Sequence, residues 1–121
     1  MSATILVVDD SGLARRSARR ILEGAGYDVI EAEDGLSALE QYFVRKPAIV
    51  LLDLVMKGMY GLDVLNKLRE IDPSAKVIVL SADIQTSSRD LVETGGAYAF
   101  ITKPVQPAAL LAAVEDAMRG Q

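Results

Sequence analysis

Four short apolar runs recur along the chain, and each is directly followed by a charged or hydroxyl side chain. The runs are ILVV before Asp9 and Asp10, AIVLL before Asp53, VIVL before Ser81 and YAFIT before Lys103. Runs of this length and composition are typical of buried strands in a parallel sheet. Because parallel strands end at one edge of the sheet, where such sheets bind ligands, the sequence predicts three carboxylates, a hydroxyl and an ammonium at one site.

Segments with helical periodicity alternate with the strands. The predicted strands are Thr4–Val8, Asp28–Glu31, Ala48–Leu52, Lys76–Leu80 and Tyr98–Thr102. The predicted helices are Leu13–Gly24, one starting at Gly35, Gly61–Ile71, Gln85–Thr94 and one starting at Pro107. Five βα units predict an α/β protein with a doubly wound, five-stranded parallel sheet. We expect strand order 2-1-3-4-5, a flavodoxin-like (βα)5 fold and a single domain over residues 1–121, because a closed barrel needs about twice this length.

Apolar residues at helical spacing predict the face that each helix packs on the sheet. In chain order, leaving out the fourth helix, these residues are Ala14, Ala18, Ile21, Leu22 and Ala25; Leu36, Leu39 and Phe43; Leu62, Leu65 and Leu68; and Leu110, Leu111, Val114 and Met118.

The composition excludes several kinds of catalytic and metal-binding site. The chain has no cysteine and no histidine, which excludes disulfides, thiolate chemistry, histidine metal ligands and a histidine general base. A formal net charge of −4 gives no overall attraction to nucleic acid. Without a signal-peptide pattern or a run of membrane-spanning length, we expect a cytoplasmic protein with neither a nucleic-acid nor a membrane partner.

The predicted cluster of carboxylates needs a compensating cation, because like charges brought together and buried are costly. Mg²⁺ is a hard ion that prefers carboxylates, waters and a phosphoryl oxygen. One of the three carboxylates can act as a nucleophile and form an acyl phosphate. Lys103 then supplies a second cation for the phosphoryl charge, and Ser81 supplies a hydrogen bond.

In these motifs the chain resembles the receiver domain of two-component response regulators over its whole length. The motifs are VVDDS at 7–11, LLDLVMKGMYGL at 51–62, LSAD at 80–83 and FITKP at 100–104. The resemblance implies that Asp53 is the phosphoacceptor. It also implies that Asp10, Asp53 and the backbone carbonyl of Val55 bind Mg²⁺ directly, with Asp9 acting largely through water.

The same resemblance assigns the remaining roles. Ser81 is the switch hydroxyl, Phe100 the switch aromatic and Lys103 the ammonium that pairs with the phosphate, in a cis Lys103–Pro104 turn. The implied function is a phosphorylation-dependent signalling switch of a phosphorelay, chemotaxis-type and single-domain, which catalyses only its own phosphorylation and dephosphorylation. It signals through the face of the fourth helix, fifth strand and fifth helix.

The implied partners are a histidine kinase or histidine phosphotransfer protein and a downstream effector, with the chain a monomer or a phosphorylation-dependent dimer. Four arginines on the first helix suit either a solvated face or the docking of the phosphodonor. They are Arg15, Arg16, Arg19 and Arg20.

Three other classes stay open. An aspartyl-nucleophile, Mg²⁺-dependent phosphatase would use similar residues, but it needs an acid two residues after its nucleophile, where Asp53 is followed by Leu54 and Val55. A flavodoxin-like nucleotide binder would need a phosphate-binding loop, whereas the loop after the first strand is acidic. The third class is an interaction module that is not phosphorylated.

Overall fold

Five parallel strands form one sheet in the order β2-β1-β3-β4-β5 in a computed structural model that describes residues 2–56, 59–82 and 94–120. The strands are β1 Thr4–Val8, β2 Asp28–Ala32, β3 Ile49–Asp53, β4 Val77–Ser81 and β5 Ala99–Thr102. The helices are α1 Gly12–Gly24, α2 Gly35–Arg45, α3 Gly61–Ile71 and the C-terminal helix Pro107–Arg119. Two-residue strands, Val55–Met56 and Met59–Tyr60, pair as an antiparallel hairpin before α3. The predicted α/β fold and strand order are confirmed.

Helices cover both faces of the sheet. Since successive residues of a strand point to opposite sides, the strands contribute side chains to two core layers. One core layer lies between the sheet and helices α2 and α3, and it includes Leu6, Leu52 and Leu68. The other lies against α1 and the C-terminal helix, and it includes Leu51 and Leu110. β3 is buried along its whole length, which explains its continuous apolar run.

The register of the central strands fixes where the polar residues emerge. Val8 of β1 pairs with Leu52 of β3, so the residues that follow them, Asp9 and Asp53, leave the sheet side by side. Asp53 itself pairs with Leu80 of β4. The polar residues predicted from the strand ends therefore lie at one edge.

The strand predictions are accurate to within one residue at either end. The predicted fourth helix, Gln85–Thr94, lies almost entirely outside the described residues. Of the predicted inward faces, that of α3 is confirmed, since Leu65 and Leu68 are buried and Leu62 packs on the core.

The predicted inner face of α2 is confirmed at Leu39 and wrong at Leu36 and Phe43. Leu36 and Phe43 are 68% and 72% exposed, whereas Ala38 and Tyr42 are buried and Leu39 packs beside them. The helix carries apolar residues on several sides, so its spacing does not single out one face. Ala38 is small enough to let the helix approach the sheet, and the Tyr42 hydroxyl reaches Asp72.

Two further inward predictions are wrong, each at the last predicted residue of its helix. Ala25 is exposed because it is the C-cap of α1, where the chain turns through Gly26 at φ 96°. Met118 is 41% exposed, and Ala117 takes the buried position at the end of the C-terminal helix. Among the described helices, none is both long and apolar enough to cross a membrane.

Candidate functional site

Three carboxylates meet at the carboxyl edge of the sheet. Asp9 and Asp10 follow β1, and Asp53 is the last residue of β3. One carboxylate oxygen from each lies within 4.8 Å of the other two. Asp9 and Asp53 are only 3% and 7% exposed, whereas Asp10 faces solvent. A set of oxygen donors open to solvent on one side suits a hard divalent cation.

Lys103 lies against two of these carboxylates. Its Nζ is 3.1 Å from Asp9 Oδ2 and 3.1 Å from Asp53 Oδ1. Its backbone N–H donates to the carbonyl of Ser81 at 2.8 Å, which ties the chain after β5 to the end of β4. The following bond, Lys103–Pro104, is cis, as the family resemblance implies. Lys103 is therefore part of the site and not a solvated charge at its rim.

The site keeps an excess of negative charge. When ionised, three carboxylates and one ammonium leave two formal negative charges (−3 + 1 = −2). Burial, reinforced by repulsion from Asp9, raises the pKa of Asp53 despite the attraction of Lys103. Burial alone lowers the pKa of Lys103, but the pull of Asp53 and Asp9 outweighs it and raises that pKa. A divalent cation matches this charge excess.

Asp9 also has a structural role in the turn that enters α1. Its Oδ1 accepts a hydrogen bond from the Ser11 N–H at 2.9 Å, while its Oδ2 faces Lys103. Ser11 is the N-cap of α1, and its Oγ accepts from the Ala14 N–H at 3.2 Å. Asp9 therefore both shapes the turn into α1 and contributes a carboxylate to the cluster.

The other predicted site residues lie near the cluster at different depths. Ser81 closes β4, is 1% exposed and lies one register position beyond the partner of Asp53. Phe100 pairs with Val79 further back along β5 and packs against the core layer under α2 and α3. Val55 follows Asp53 by two residues in the hairpin, with its side chain 63% exposed. The roles assigned to these residues remain proposals.

Two of the four helix α1 arginines form a network that the sequence did not predict. Arg15 Nε lies 2.9 Å from Glu31 Oε1, and Arg19 Nε lies 2.6 Å from Glu31 Oε2. Arg19 also pairs with Glu23 at 2.9 Å. Glu31 lies in β2, the strand beside β1, so the spatial order of the strands would have placed it near this helix.

A glycine sets how closely α3 approaches the site. A Cβ added at Gly61 would lie 2.5 Å from the carbonyl oxygen of Asp53 and 2.7 Å from the Cα of Leu54. The Gly61 N–H donates to the Leu54 carbonyl at 2.7 Å. The backbone that presents Asp53 is therefore packed directly on the first residue of α3.

The doubly wound sheet and the cluster of carboxylates at its carboxyl edge place this chain among flavodoxin-like α/β proteins with a candidate metal site. The family model for the response regulator receiver domain matches residues 5–115. The chain therefore belongs to the response regulator receiver domain family, whose members are signalling proteins and not true enzymes.

Known proteins resemble the chain over nearly its whole length. The chemotaxis protein CheY of Thermotoga maritima is 39% identical over 115 residues, which cover 94% of this chain and 96% of that protein. A CheY-like receiver domain protein of Methanospirillum hungatei superposes with a TM-score of 0.94 at 28% identity, covering 98% of this chain and 95% of that chain. A CheX–CheY–BeF3–Mg²⁺ complex of Borrelia burgdorferi superposes with a TM-score of 0.92 at 30% identity, covering 98% and 90%.

These relatives give the acidic cluster a context. The triad of Asp9, Asp10 and Asp53 is typical of the Mg²⁺-binding site of receiver domains, and the Borrelia burgdorferi complex contains Mg²⁺. The CheY relatives indicate a phosphorylation-dependent signalling switch.

Proposed function

We propose that this chain is the switch of a two-component phosphorelay and accepts a phosphoryl group from phosphohistidine onto Asp53. The observation that carries the proposal is the position of the Asp53 carboxylate, within the acidic triad and 3.1 Å from the Lys103 ammonium. A phosphoryl group on this carboxylate would have a cation on either side. That is the electrostatic arrangement that phosphoryl transfer requires.

Asp53 is the best placed of the three carboxylates to be the nucleophile. Both oxygens of Asp9 have partners, one in the Ser11 N–H and one in Lys103. Asp10 stands on the exposed loop. Asp53 leaves the middle of the sheet between β1 and β4, so its neighbours on both sides can contact a transferred group.

In the proposed reaction an Asp53 carboxylate oxygen forms a bond to phosphorus as the phosphorus–nitrogen bond of phosphohistidine breaks. The electron pair stays on the imidazole nitrogen, which takes up a proton. Asp10, Asp53 and the Val55 carbonyl would hold Mg²⁺, with Asp9 contributing through water. When bound, Mg²⁺ neutralises charge on the phosphoryl oxygens. Lys103 pairs with the phosphoryl group from the β5 side.

The proposed response starts at Ser81 and ends at the surface. Ser81 moves toward the phosphoryl group and hydrogen-bonds to it, and the space that it leaves favours an inward rotamer of Phe100. The outcome is a population shift between two packings of the face formed by β5, the C-terminal helix and the predicted helix 85–94. The half-buried position of Phe100 on β5 supports this role.

The surface beside the site suits a phosphodonor protein, in this proposal a histidine kinase or histidine phosphotransfer protein. Arg15 and Arg19 are engaged by Glu31, whereas Arg16 and Arg20 are exposed on α1. An adjoining cavity of about 290 Å³ lies between α1 and the segment after β5. Its lining includes Asp9, Ala14, Ile21, Lys103 and Val105. A largely apolar groove next to the site suits the apolar face of an amphipathic helix.

The remaining parts of the proposal rest on the resemblance to single-domain relatives and on the composition. The chain acts as a single domain over residues 1–121, in the cytoplasm, as a monomer or a phosphorylation-dependent dimer. Its output passes to a downstream effector protein, without a nucleic-acid or membrane partner. It catalyses only its own phosphorylation and dephosphorylation.

Incubation with acetyl phosphate and Mg²⁺, followed by mass spectrometry, tests the assignment of Asp53. We expect one phosphoryl group, localised to Asp53, and none on Asp53→Asn. Asp63→Asn is the matched control, because Asp63 is an exposed aspartate on α3. Labelling of Asp53→Asn at the wild-type level, or a phosphoryl group found on another residue, would show that the assignment is wrong.

Ser81→Ala tests the switch separately from the chemistry. We expect this variant to accept the phosphoryl group but to lose the chemical-shift response of β5 to beryllofluoride, a phosphoryl analogue. An unchanged response would remove Ser81 from the switch.

A further inference from the structure

The guanidinium of Arg15 adds a side-chain link between the loop after β1 and the edge strand β2, beside the backbone hydrogen bond from the Asp9 N–H to the Ala32 carbonyl. Its Nη1 donates to the backbone carbonyl of Asp9 at 2.6 Å, and its Nε donates to Glu31 Oε1 at 2.9 Å. The side chain is only 17% exposed. One planar group thus holds the loop between β1 and α1 against the edge strand β2, with a geometry that a single ammonium cannot reproduce.

The loop that Arg15 holds carries two of the three carboxylates of the site. The Asp9 carbonyl belongs to the peptide between Asp9 and Asp10, so a donor on that oxygen fixes the orientation of the peptide from which both side chains project. Repulsion within the acidic triad opposes the close approach of the three carboxylates before a cation binds. A hydrogen bond from a charged donor is among the stronger restraints available.

Arg19 makes the anchor rigid without touching the loop. It occupies the second oxygen of Glu31 at 2.6 Å and also pairs with Glu23. The Glu31 carboxylate is therefore held from two sides, and its pKa is lowered, chiefly by the hydrogen bond from Arg19. Arg15 uses this fixed carboxylate as its own support.

We propose that Arg15 is a positioning residue for the acidic site: by bonding the Asp9 carbonyl and Glu31 together, it holds Asp9 and Asp10 in the arrangement that a divalent cation requires. The part of the inference that concerns the cation rests on the proposed function. The part that concerns the order of the loop applies to the metal-free protein. Groups that orient ligands in this way typically change metal affinity by about 10- to 100-fold when they are removed.

The sign of the effect separates positioning from simple electrostatics. Removing a positive charge near three carboxylates makes the site more negative, which on its own strengthens the binding of a cation. Positioning predicts the opposite for Arg15. Arg16 is the matched control, because it carries the same charge one residue further along the same helix and is exposed.

The first measurement is amide hydrogen exchange in the metal-free protein, read at Asp9 and Ser11. The Asp9 amide donates to the Ala32 carbonyl of β2, and the Ser11 amide donates to Asp9 Oδ1 within the turn. We expect exchange about tenfold faster in Arg15→Gln than in Arg16→Gln. Arg19→Gln loosens the anchor but keeps the contact with Asp9, so its exchange stays within about threefold of wild type.

The second measurement is the Mg²⁺ dissociation constant of the same variants by calorimetric titration. We expect Arg15→Gln to bind about tenfold more weakly than wild type, and Arg16→Gln to bind as tightly or more tightly. Arg15→Lys keeps the charge but has one donor nitrogen, so we expect its Mg²⁺ affinity to lie between those of Arg15→Gln and wild type. If Arg15→Gln does not fold, as judged by circular dichroism, Arg15→Lys against Arg16→Lys makes the same comparison.

Three outcomes decide between the claims. Equal amide exchange in Arg15→Gln and Arg16→Gln would overturn the positioning role, as would Mg²⁺ binding by Arg15→Gln that is as tight as that of Arg16→Gln. A wild-type protein that binds no Mg²⁺ would contradict the proposed function instead, and the exchange data would still decide whether Arg15 orders the loop.

Discussion

Charged side chains have different partners at the two edges of the sheet. At the carboxyl edge, three carboxylates share one ammonium. At the opposite edge, where helices end and strands begin, polar side chains join neighbouring elements. Tyr42 donates to Asp72 at 2.7 Å, and Lys76 donates to the carbonyls of Ala117 and Gly120 at 2.6 and 2.8 Å. One edge stabilises the fold, and the other keeps a charge excess available for a ligand.

Two aspartates, one at each edge, have pKa values that are shifted in opposite directions. Hydrogen bonds from Ser74 and then from Tyr42 lower the pKa of Asp72. Burial and repulsion from Asp9 raise the pKa of Asp53. A carboxylate that is stabilised by its surroundings contributes to folding, whereas one that is destabilised contributes to binding whatever relieves it.

Gly61→Ala should have the largest effect, because it forces apart the contact between α3 and the backbone that presents Asp53. We expect the free energy of unfolding to fall by about 3 kcal/mol in urea denaturation. Gly24→Ala is the control, since no described atom lies within 4 Å of the added Cβ. It should be neutral or up to about 1 kcal/mol more stable. Equal stability of the two variants would refute this account of the contact.

Lys103→Met should have the next largest effect, because it removes the cation that faces Asp9 and Asp53. We expect the metal-free protein to lose about 2 kcal/mol of stability at neutral pH, and Mg²⁺ to restore part of it. Lys67→Met, at an exposed position of α3, should change stability by less than about 0.5 kcal/mol. Denaturation with and without Mg²⁺ measures both, and a Lys103 variant as stable as wild type would contradict the charge argument.

The same substitution at the two edges should act in opposite directions. Because the folded-state pKa of Asp53 is raised, its favourable contribution is complete below the ordinary aspartate pKa and is lost as pH rises through the raised value. Without metal, Asp53→Asn should therefore be more stable than wild type at pH 7, by about 1 kcal/mol, and the difference should vanish in acid.

Asp72 has a lowered pKa, so its contribution is present above the ordinary value and is lost as pH falls through the lowered one. Asp72→Asn should be less stable than wild type at pH 7 and should converge with it in acid. Thermal unfolding over a pH series measures both variants. If Asp53→Asn and Asp72→Asn change the thermal stability in the same direction at pH 7, the contrast between the two edges is wrong.

Tyr42→Phe should have the smallest effect, because it removes one hydrogen bond at the structural edge. We expect a loss of about 0.5 kcal/mol of stability, with Mg²⁺ affinity unchanged. Tyr27→Phe is the control in a second partly buried tyrosine. A change in Mg²⁺ affinity on Tyr42→Phe would show that the two edges are coupled.

The sheet could be predicted from the sequence because fully buried parallel strands leave an unambiguous pattern. β3 and β4 are apolar without interruption, and their polar ends mark the site directly. The inner face of α2 could not be predicted, because small Ala38 and amphipathic Tyr42 are buried while larger Leu36 and Phe43 are exposed. Burial there depends on how closely the helix approaches the sheet, which periodicity does not contain.

The site was predictable to the same extent as the sheet. The strand order brings Asp53 and Lys103 to the same edge, with one strand between them, and the long Lys103 side chain spans the gap. The contact of Arg15 with the Asp9 carbonyl was not predictable, because a run of arginines on a helix gives no sign of which members turn toward the neighbouring strand. The strand order places Glu31 near the helix, but it does not determine that the Arg15 side chain reaches both Glu31 and the Asp9 carbonyl.

Calorimetric titration of Mg²⁺ tests the central claim most directly, which is that the charge excess at the carboxyl edge forms a metal site. We predict a single Mg²⁺ site in the wild-type protein, with affinity reduced by about tenfold or more in Asp10→Asn and Asp53→Asn and unchanged in Asp63→Asn. Equal Mg²⁺ affinity in all four proteins would contradict the account.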